Sequence, residues 1–186
     1  MNIGFALCGS FCTFAQVFPV IEELAKKHNV IPIFSHNAYT TDTRFGLAAD
    51  HIQRVTEICG CPPIHTIAQA EPIGPKKLLD VLVIAPCTGN TLAKLAHSIA
   101  DTPVTMAVKS HLRNARPVVV AISTNDALAG AAENIGKLLG RKHYYFVPYS
   151  QDDPDKKHTS MIADFSKVDA TVEAALKGFQ LQPTIL

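Results

Sequence analysis

The chain has 186 residues, of which 47% are hydrophobic and 18% charged, enough apolar material for one large core and too much for disorder or a fibre. Lys plus Arg number 17 against 16 for Asp plus Glu, a net charge of +1, so composition offers no electrostatic footprint for nucleic acid or an anionic membrane. No apolar run reaches the ~18 residues of a membrane helix and no basic leader precedes the first strand-like run, so the chain reads as cytoplasmic.

From the N-terminus onward, short β-rich runs alternate with helical periods. Residues 3–8, 30–34, 81–85, 118–122 and 144–147 are rich in branched or aromatic side chains, as expected of strands covered on both faces, and 64–68 is a weaker sixth. Between them, apolar residues recur at helical spacing: Phe14, Val17, Phe18, Ile21 and Leu24; then Phe45, Ala48, Ile52 and Val55; then Leu92, Leu95, Ala96 and Ile99; then Leu128, Ala131, Ile135 and Leu138. Pro19 either kinks the first helix or marks a late start. Thr102 before Pro103, a capping hydroxyl followed by proline, predicts a further helix over 103–113. The polar, proline-broken stretch at 148–160 reads as a surface connection or a lid, leading into a terminal helix at 169–179. This alternation predicts a single α/β domain over 1–186: three layers, Rossmann-like, with a mainly parallel six-stranded sheet in the order 3-2-1-4-5-6.

Five cysteines, an odd number, point to reduced thiols rather than a disulfide framework. Cys59-Gly60-Cys61 with His65 nearby is half of a zinc-site pattern; with one knuckle only, a helix end is the expectation and no metal is assigned.

In such a sheet, ligands bind beyond the carboxyl ends of the strands, where strand order reverses. The loop after the first strand, Gly9-Ser10-Phe11-Cys12-Thr13, combines free backbone N–H groups, hydroxyls and a helix start, which suits one phosphate as well as it suits a plain capped helix. It lacks both G-x-G-x-x-G and G-K-[ST], which argues against a dinucleotide or a nucleoside triphosphate. The loop at 85–91, Ala-Pro-Cys-Thr-Gly-Asn-Thr, carries no charge and offers small donors and acceptors suited to a planar heterocycle or a ribityl chain. Ser35-His36-Asn37 and Ser123-Thr124-Asn125-Asp126 end two further strands at the same rim, and the convergence of four small, polar loops favours a ligand site over four separate caps.

On these residues the chain resembles the flavoprotein family that includes flavin-containing cysteine decarboxylases and flavin prenyltransferases. Pro86 to Thr91 is similar to that family's P-A-S-A-N-T motif: Pro86, Asn90 and Thr91 match, whereas Cys87, Thr88 and Gly89 are substituted. Gly9 and Ser10 match the family's phosphate loop and Ser35 its second-strand hydroxyl. The resemblance implies FMN, with its phosphate at the first loop and its isoalloxazine near the second. Together with the loop reading it makes Gly9, Ser10, Phe11, Thr13, Ser35, Asn37, Pro86, Cys87, Thr88, Gly89, Asn90, Thr91, Ser123, Thr124 and Asn125 the candidate cofactor set.

Within the family, the resemblance covers the whole chain for an oxidoreductase subunit of spore-forming bacteria. It is carried by residues 8–14, 85–92 and 147–154. It implies a part in oxidising a dihydrodipicolinate-type precursor to pyridine-2,6-dicarboxylate in the mother cell. The nicotinamide cofactor, NAD(P), is then held by the A subunit of the same enzyme, and the chain itself forms a homo-oligomer, trimeric or dodecameric. Such aromatisation needs a hydride acceptor, a base and cations for a dicarboxylate. Lys109, Arg113 and His158, with Lys156 and Lys157, are candidate carboxylate partners, and His36 is either the base or a loop hydrogen-bonder. Two departures weigh against the family's other chemistries: no cysteine follows Cys87, where the decarboxylases carry one in a clamp, and Ser123-Thr124-Asn125-Asp126-Ala127-Leu128 replaces the prenyltransferases' Arg-Glu-Thr-Pro-Leu. The alternatives are a decarboxylase of a cysteine-type substrate and a non-catalytic subunit for flavin binding or assembly.

Overall fold

Val81, Leu82, Val83, Ile84 and Ala85 have no polar side-chain atom to leave in water, and all five are fully buried. They form β3 (Val81–Cys87), which runs between β1 (Asn2–Leu7) and β4 (Val118–Thr124) in the computed structural model, which describes residues 1–186. On the far side of β1 lies β2 (Asn29–Phe34), and β5 (Tyr144–Phe146) pairs with β4; all four of these pairings are parallel. The reversal of strand order between β1 and β3 therefore falls where the alternation places it.

Helices cover both faces. On one side α1 (Phe14–Ala25), α3 (Ala48–Cys59) and α8 (Val168–Leu176) pack together. On the other are α4 (Ile67–Ala70), α5 (Gly89–Ala96), α6 (Pro103–Leu112) and α7 (Ala132–Leu139), while α2 (His36–Thr40) follows β2 as a short turn of helix. The core joins 49 buried residues, Phe5, Phe14, Phe34 and Phe146 being its largest fully enclosed side chains. Pro19 stays inside α1 on its exposed side, where the Ala15 carbonyl it leaves unbonded can turn to water. Thr102 caps α6 with a capping box that Thr105 completes. Cys59 is the last residue of α3 and Gly60, at φ +69°, closes it in the left-handed conformation, so the Cys-Gly-Cys segment is a helix end.

The expected six-strand order needs correction at both edges. The 64–68 run contributes one parallel bridge, Ile33 to Ile64, because Thr66 immediately caps α4. At the other edge the 148–160 stretch is a hairpin rather than a plain connection: β6 (Tyr149–Gln151) pairs antiparallel with β7 (Met161–Ala163), and β7 with the end of β4. The sheet is thus mixed, in the order β2-β1-β3-β4-β7-β6, with β5 beside β4. Three apolar periods also overran: Phe45, Ile99 and Leu128 lie outside their helices and are exposed. The terminal helix ends at Leu176, leaving Phe179 beyond it in solvent.

Candidate functional site

The loops after β1 and β3 and the end of β4 open onto one cleft of about 1090 Å³ at the carboxyl edge of the sheet. Gly9 to Thr13 form one wall, Thr88, Gly89 and Asn90 another, and Ser123 to Asp126 a third. Thr43, Arg44 and Phe45 enter from the turn before α3, and Asp152, Lys157, Ser160, Met161 and Ile162 from the hairpin.

The first wall is a set of unspent donors. Cys8 and Ser10 place their N–H groups on the Pro86 and Cys8 carbonyls, but those of Gly9, Phe11 and Cys12 have no acceptor in the chain. Ser10 precedes a single 3-10 turn (Phe11–Thr13) without capping it; its hydroxyl instead meets that of Ser123 at 2.7 Å, across 113 residues of sequence. Thr13 donates its hydroxyl to the Ser10 carbonyl at 2.8 Å, which holds the loop in shape. Free N–H groups, a hydroxyl pair and the start of α1 form a cradle for an anion.

The second wall rests on a neutral floor. Thr88 caps α5 through the Thr91 N–H, and Thr91 donates its hydroxyl to Cys8 Sγ at 3.3 Å. Burial pushes the Cys8 thiol up to about 11 against the pull of that hydrogen bond, and burial raises the Cys87 thiol well above its ordinary value, with Cys8 adding to it. Both thiols stay protonated, which rules them out as nucleophiles at neutral pH. Gly89 lies close under the third wall: a Cβ there would lie 2.7 Å from Asp126 Oδ1 and 2.9 Å from Thr124 Oγ1, so these side chains would have to shift, and Thr124 donates to that carboxylate at 2.5 Å. On the hairpin side, Lys157 pairs with Asp152 at 2.7 Å. Burial resists ionisation of Asp152, but hydrogen bonds from Lys157 and Ser160 outweigh it and hold the carboxyl below its ordinary range.

Residues 1–167 match the model of the family described as Flavoprotein. The chain belongs to the flavoprotein family. It is 46% identical to the B subunit of dipicolinate synthase from Bacillus subtilis (strain 168) over 186 residues, all of this chain and 93% of that one. The crystal structure of the corresponding B subunit from Bacillus halodurans superposes with a TM-score of 0.91 at 44% identity, over 100% of this chain and 95% of that one. The chain is therefore a close homologue of the dipicolinate synthase B subunit. It shares its fold more distantly with Burkholderia xenovorans DmrB in complex with FMN, described as a cubic protein cage for redox transfer, at a TM-score of 0.70, 17% identity and 95% coverage of each chain.

Of the candidate set, Gly9, Ser10, Phe11, Thr13, Thr88, Gly89, Asn90, Ser123, Thr124 and Asn125 line the cleft. Pro86, Cys87 and Thr91 are buried beneath it. Ser35 is spent on capping α2, accepting from the Ala38 N–H at 3.2 Å; His36 and Asn37 are exposed on α2 and do not line the cleft, although Asn37 Cβ would lie 3.6 Å from a Cβ built on Gly9. The structure does not bring Lys109 and Arg113 to this site. They belong to the last turn and cap of α6, which lead into β4 at the opposite edge of the sheet, and Lys109 lines a separate hollow with Arg141 and Lys142. His158 holds the Pro154 carbonyl at 2.7 Å and is not part of the lining; its neighbour Lys157 is. Asp126, the last residue of the loop already singled out after β4, lines the cleft as well, whereas Arg44, Phe45 and Ser160 were missed because only tertiary contact carries them in; an arginine beside an aromatic in a loop was the one local signal.

Proposed function

We propose that this flavoprotein binds FMN in the cleft and works with the A subunit of dipicolinate synthase in oxidising a dihydrodipicolinate-type precursor to pyridine-2,6-dicarboxylate. The three unspent N–H groups of Gly9, Phe11 and Cys12, beside the Ser10–Ser123 hydroxyl pair, carry the cofactor part of this reading. Their chemistry suits a phosphate monoester, and the uncharged wall of Thr88, Gly89 and Asn90, with Ser123 to Asn125, suits a ribityl chain and a planar ring. When bound, FMN supplies a two-electron acceptor. The chain's own residues hold the phosphate and keep the floor neutral through the protonated Cys8 and Cys87. NAD(P) is assigned to the A subunit, and a homo-oligomer, trimeric or dodecameric, to this chain. The reading draws support from the whole-length similarity to the dipicolinate synthase B subunit.

The visible absorption spectrum tests it. The purified chain titrated with FMN should turn yellow, with bands shifted on burial, and Ser10→Asp, which sets a carboxylate against the phosphate, should weaken uptake at least about tenfold. A chain that ignores FMN yet restores dipicolinate formation when mixed with the A subunit would refute the flavin part and leave an assembly or substrate-binding role. Turnover by the FMN-loaded chain on its own would refute the dependence on the partner.

A further inference from the structure

Four charged side chains line the cleft, and three are already engaged within the chain. Lys157 and Asp152 form an ion pair, and Asp126 accepts the Thr124 hydroxyl. Arg44 alone has neither an acidic partner nor a hydrogen bond in the chain. Its guanidinium lies 4.9 Å over the ring of Phe45, itself 46% exposed although it belongs to no helix. An exposed phenylalanine carrying an unspent guanidinium at the mouth of a polar cleft offers an apolar face and a two-pronged donor together, the complement of a planar ring bearing a carboxylate.

The turn that presents the pair is braced from below. Thr43 and Gly46 exchange both backbone hydrogen bonds, at 3.0 and 3.1 Å, the Phe45 N–H donates to Thr43 Oγ1 at 3.1 Å, and the Ala48 N–H donates to Asp42 Oδ1 at 2.8 Å. Gly46, at φ +137°, passes over the His51 ring so closely that a Cβ would lie 2.9 Å from Nε2. His51 in turn meets Phe14 edge-on at a centroid distance of 5.0 Å, and Phe14 opens α1 directly after the anion cradle. The Arg44 turn and the cradle are thus seated on the same aromatic layer.

We propose that Arg44 is the carboxylate anchor of the substrate site, gripping one carboxylate of a planar pyridine-type diacid while Phe45 covers the ring. The proposal rests on the dicarboxylate reading above and adds to it the residue that selects a diacid. A phosphate of the cofactor is the other oxyanion that Arg44 could serve, and the two sources separate experimentally. The full-length chain, with and without FMN, is titrated calorimetrically with pyridine-2,6-dicarboxylate and with pyridine-2-carboxylate, for wild type, Arg44→Gln and Arg44→Lys. Arg44 is exposed and braces nothing, so the variants should fold, which circular dichroism checks.

The expected result is a loss of about tenfold or more in diacid affinity for Arg44→Gln, with the preference for diacid over monoacid collapsing and FMN affinity unchanged. Arg44→Lys should recover part of the affinity, because it keeps the charge and loses the planar fork. With the A subunit present, Arg44→Gln should raise KM more than it lowers kcat. Equal diacid binding by wild type and Arg44→Gln overturns the inference and leaves the proposed function standing. A fall in FMN affinity with diacid binding intact also overturns it, moving Arg44 to the cofactor. Failure of the wild type to bind the diacid in either state would sink the substrate reading itself, and the anchor with it.

Discussion

His111 sits in α6 with 1% of its surface exposed, and its Nε2 donates to the Pro117 carbonyl at 3.0 Å. Burial drives its pKa down to about 4, against the smaller upward pull of that carbonyl, so the folded protein holds it neutral. His51, wedged against the Phe14 and Phe18 rings with a buried Nε2 that has no partner, is lowered as well, by burial first and against the charge of Asp50. In the unfolded chain both rings take up a proton near pH 6.5, so between there and the folded values the unfolded state binds more protons. Their contribution is complete above pH 6.5 and declines as pH falls, for His111 by up to about 1.4 kcal/mol per pH unit until about pH 4. Melting temperatures between pH 7 and 4.5 should show this slope, and His111→Gln, which keeps a donor for Pro117, should flatten it relative to wild type. Equal slopes would show that His111 titrates normally.

At the scale of elements, the 3-10 turn Glu71–Ile73 docks on α6 with almost no clearance. A Cβ on Gly74 would run into the Ser110 backbone carbonyl, while Ser110 Oγ and Asn114 Nδ2 donate to the Glu71 and Gly74 carbonyls, each at 2.9 Å. The obstacle is backbone, not a side-chain tip that can swing aside. Gly74→Ala should therefore cost about 1–3 kcal/mol and lower the melting temperature by several degrees, with FMN uptake unchanged. Unchanged melting would mean that the turn and α6 can separate freely. The contact also shows why element existence was easier to read than element boundaries. Thr102-Pro103 and the helical spacing of the apolar faces, such as Phe14, Val17, Phe18 and Ile21, are local signals. Phe45, Ile99 and Leu128, by contrast, extend an apolar period beyond the helix itself: α3 and α7 begin only at Ala48 and Ala132, and α5 ends at Ala96. The strands of the hairpin, three residues each, are too short to show any period at all.

For the molecule as a whole, the three most exposed large apolar side chains lie toward the C-terminus: Phe179 is 68% exposed, Ile185 63% and Leu186 56%. The final residues run beside β6, the Tyr149 N–H donating to the Thr184 carbonyl and the Leu186 N–H to the Tyr149 carbonyl, so this apolar segment is fixed in place beside the hairpin that supplies Lys157. Such residues gain by being covered in a symmetric assembly. Light scattering of the purified chain should give three or twelve copies, and a monomer at micromolar concentration would refute the assembly proposed here.

The order of strands around β1 and β3 and the two loops that open the cleft were legible in the sequence, because each depends on local facts: uninterrupted branched runs that can only be buried, and small hydroxyl or glycine residues directly after them. The cations of the cleft were not. Lys109, Arg113, Lys156, Lys157 and His158 look alike as charges along a chain, and only folding sends Lys109 to one edge of the sheet and Lys157 to the other. Arg44 reaches the cleft because Gly46 lies against His51 and His51 against Phe14, the second a contact between segments far apart in sequence. Side chains that pack by periodicity declare themselves locally; a binding site assembled from loops is decided by where the packed elements leave those loops.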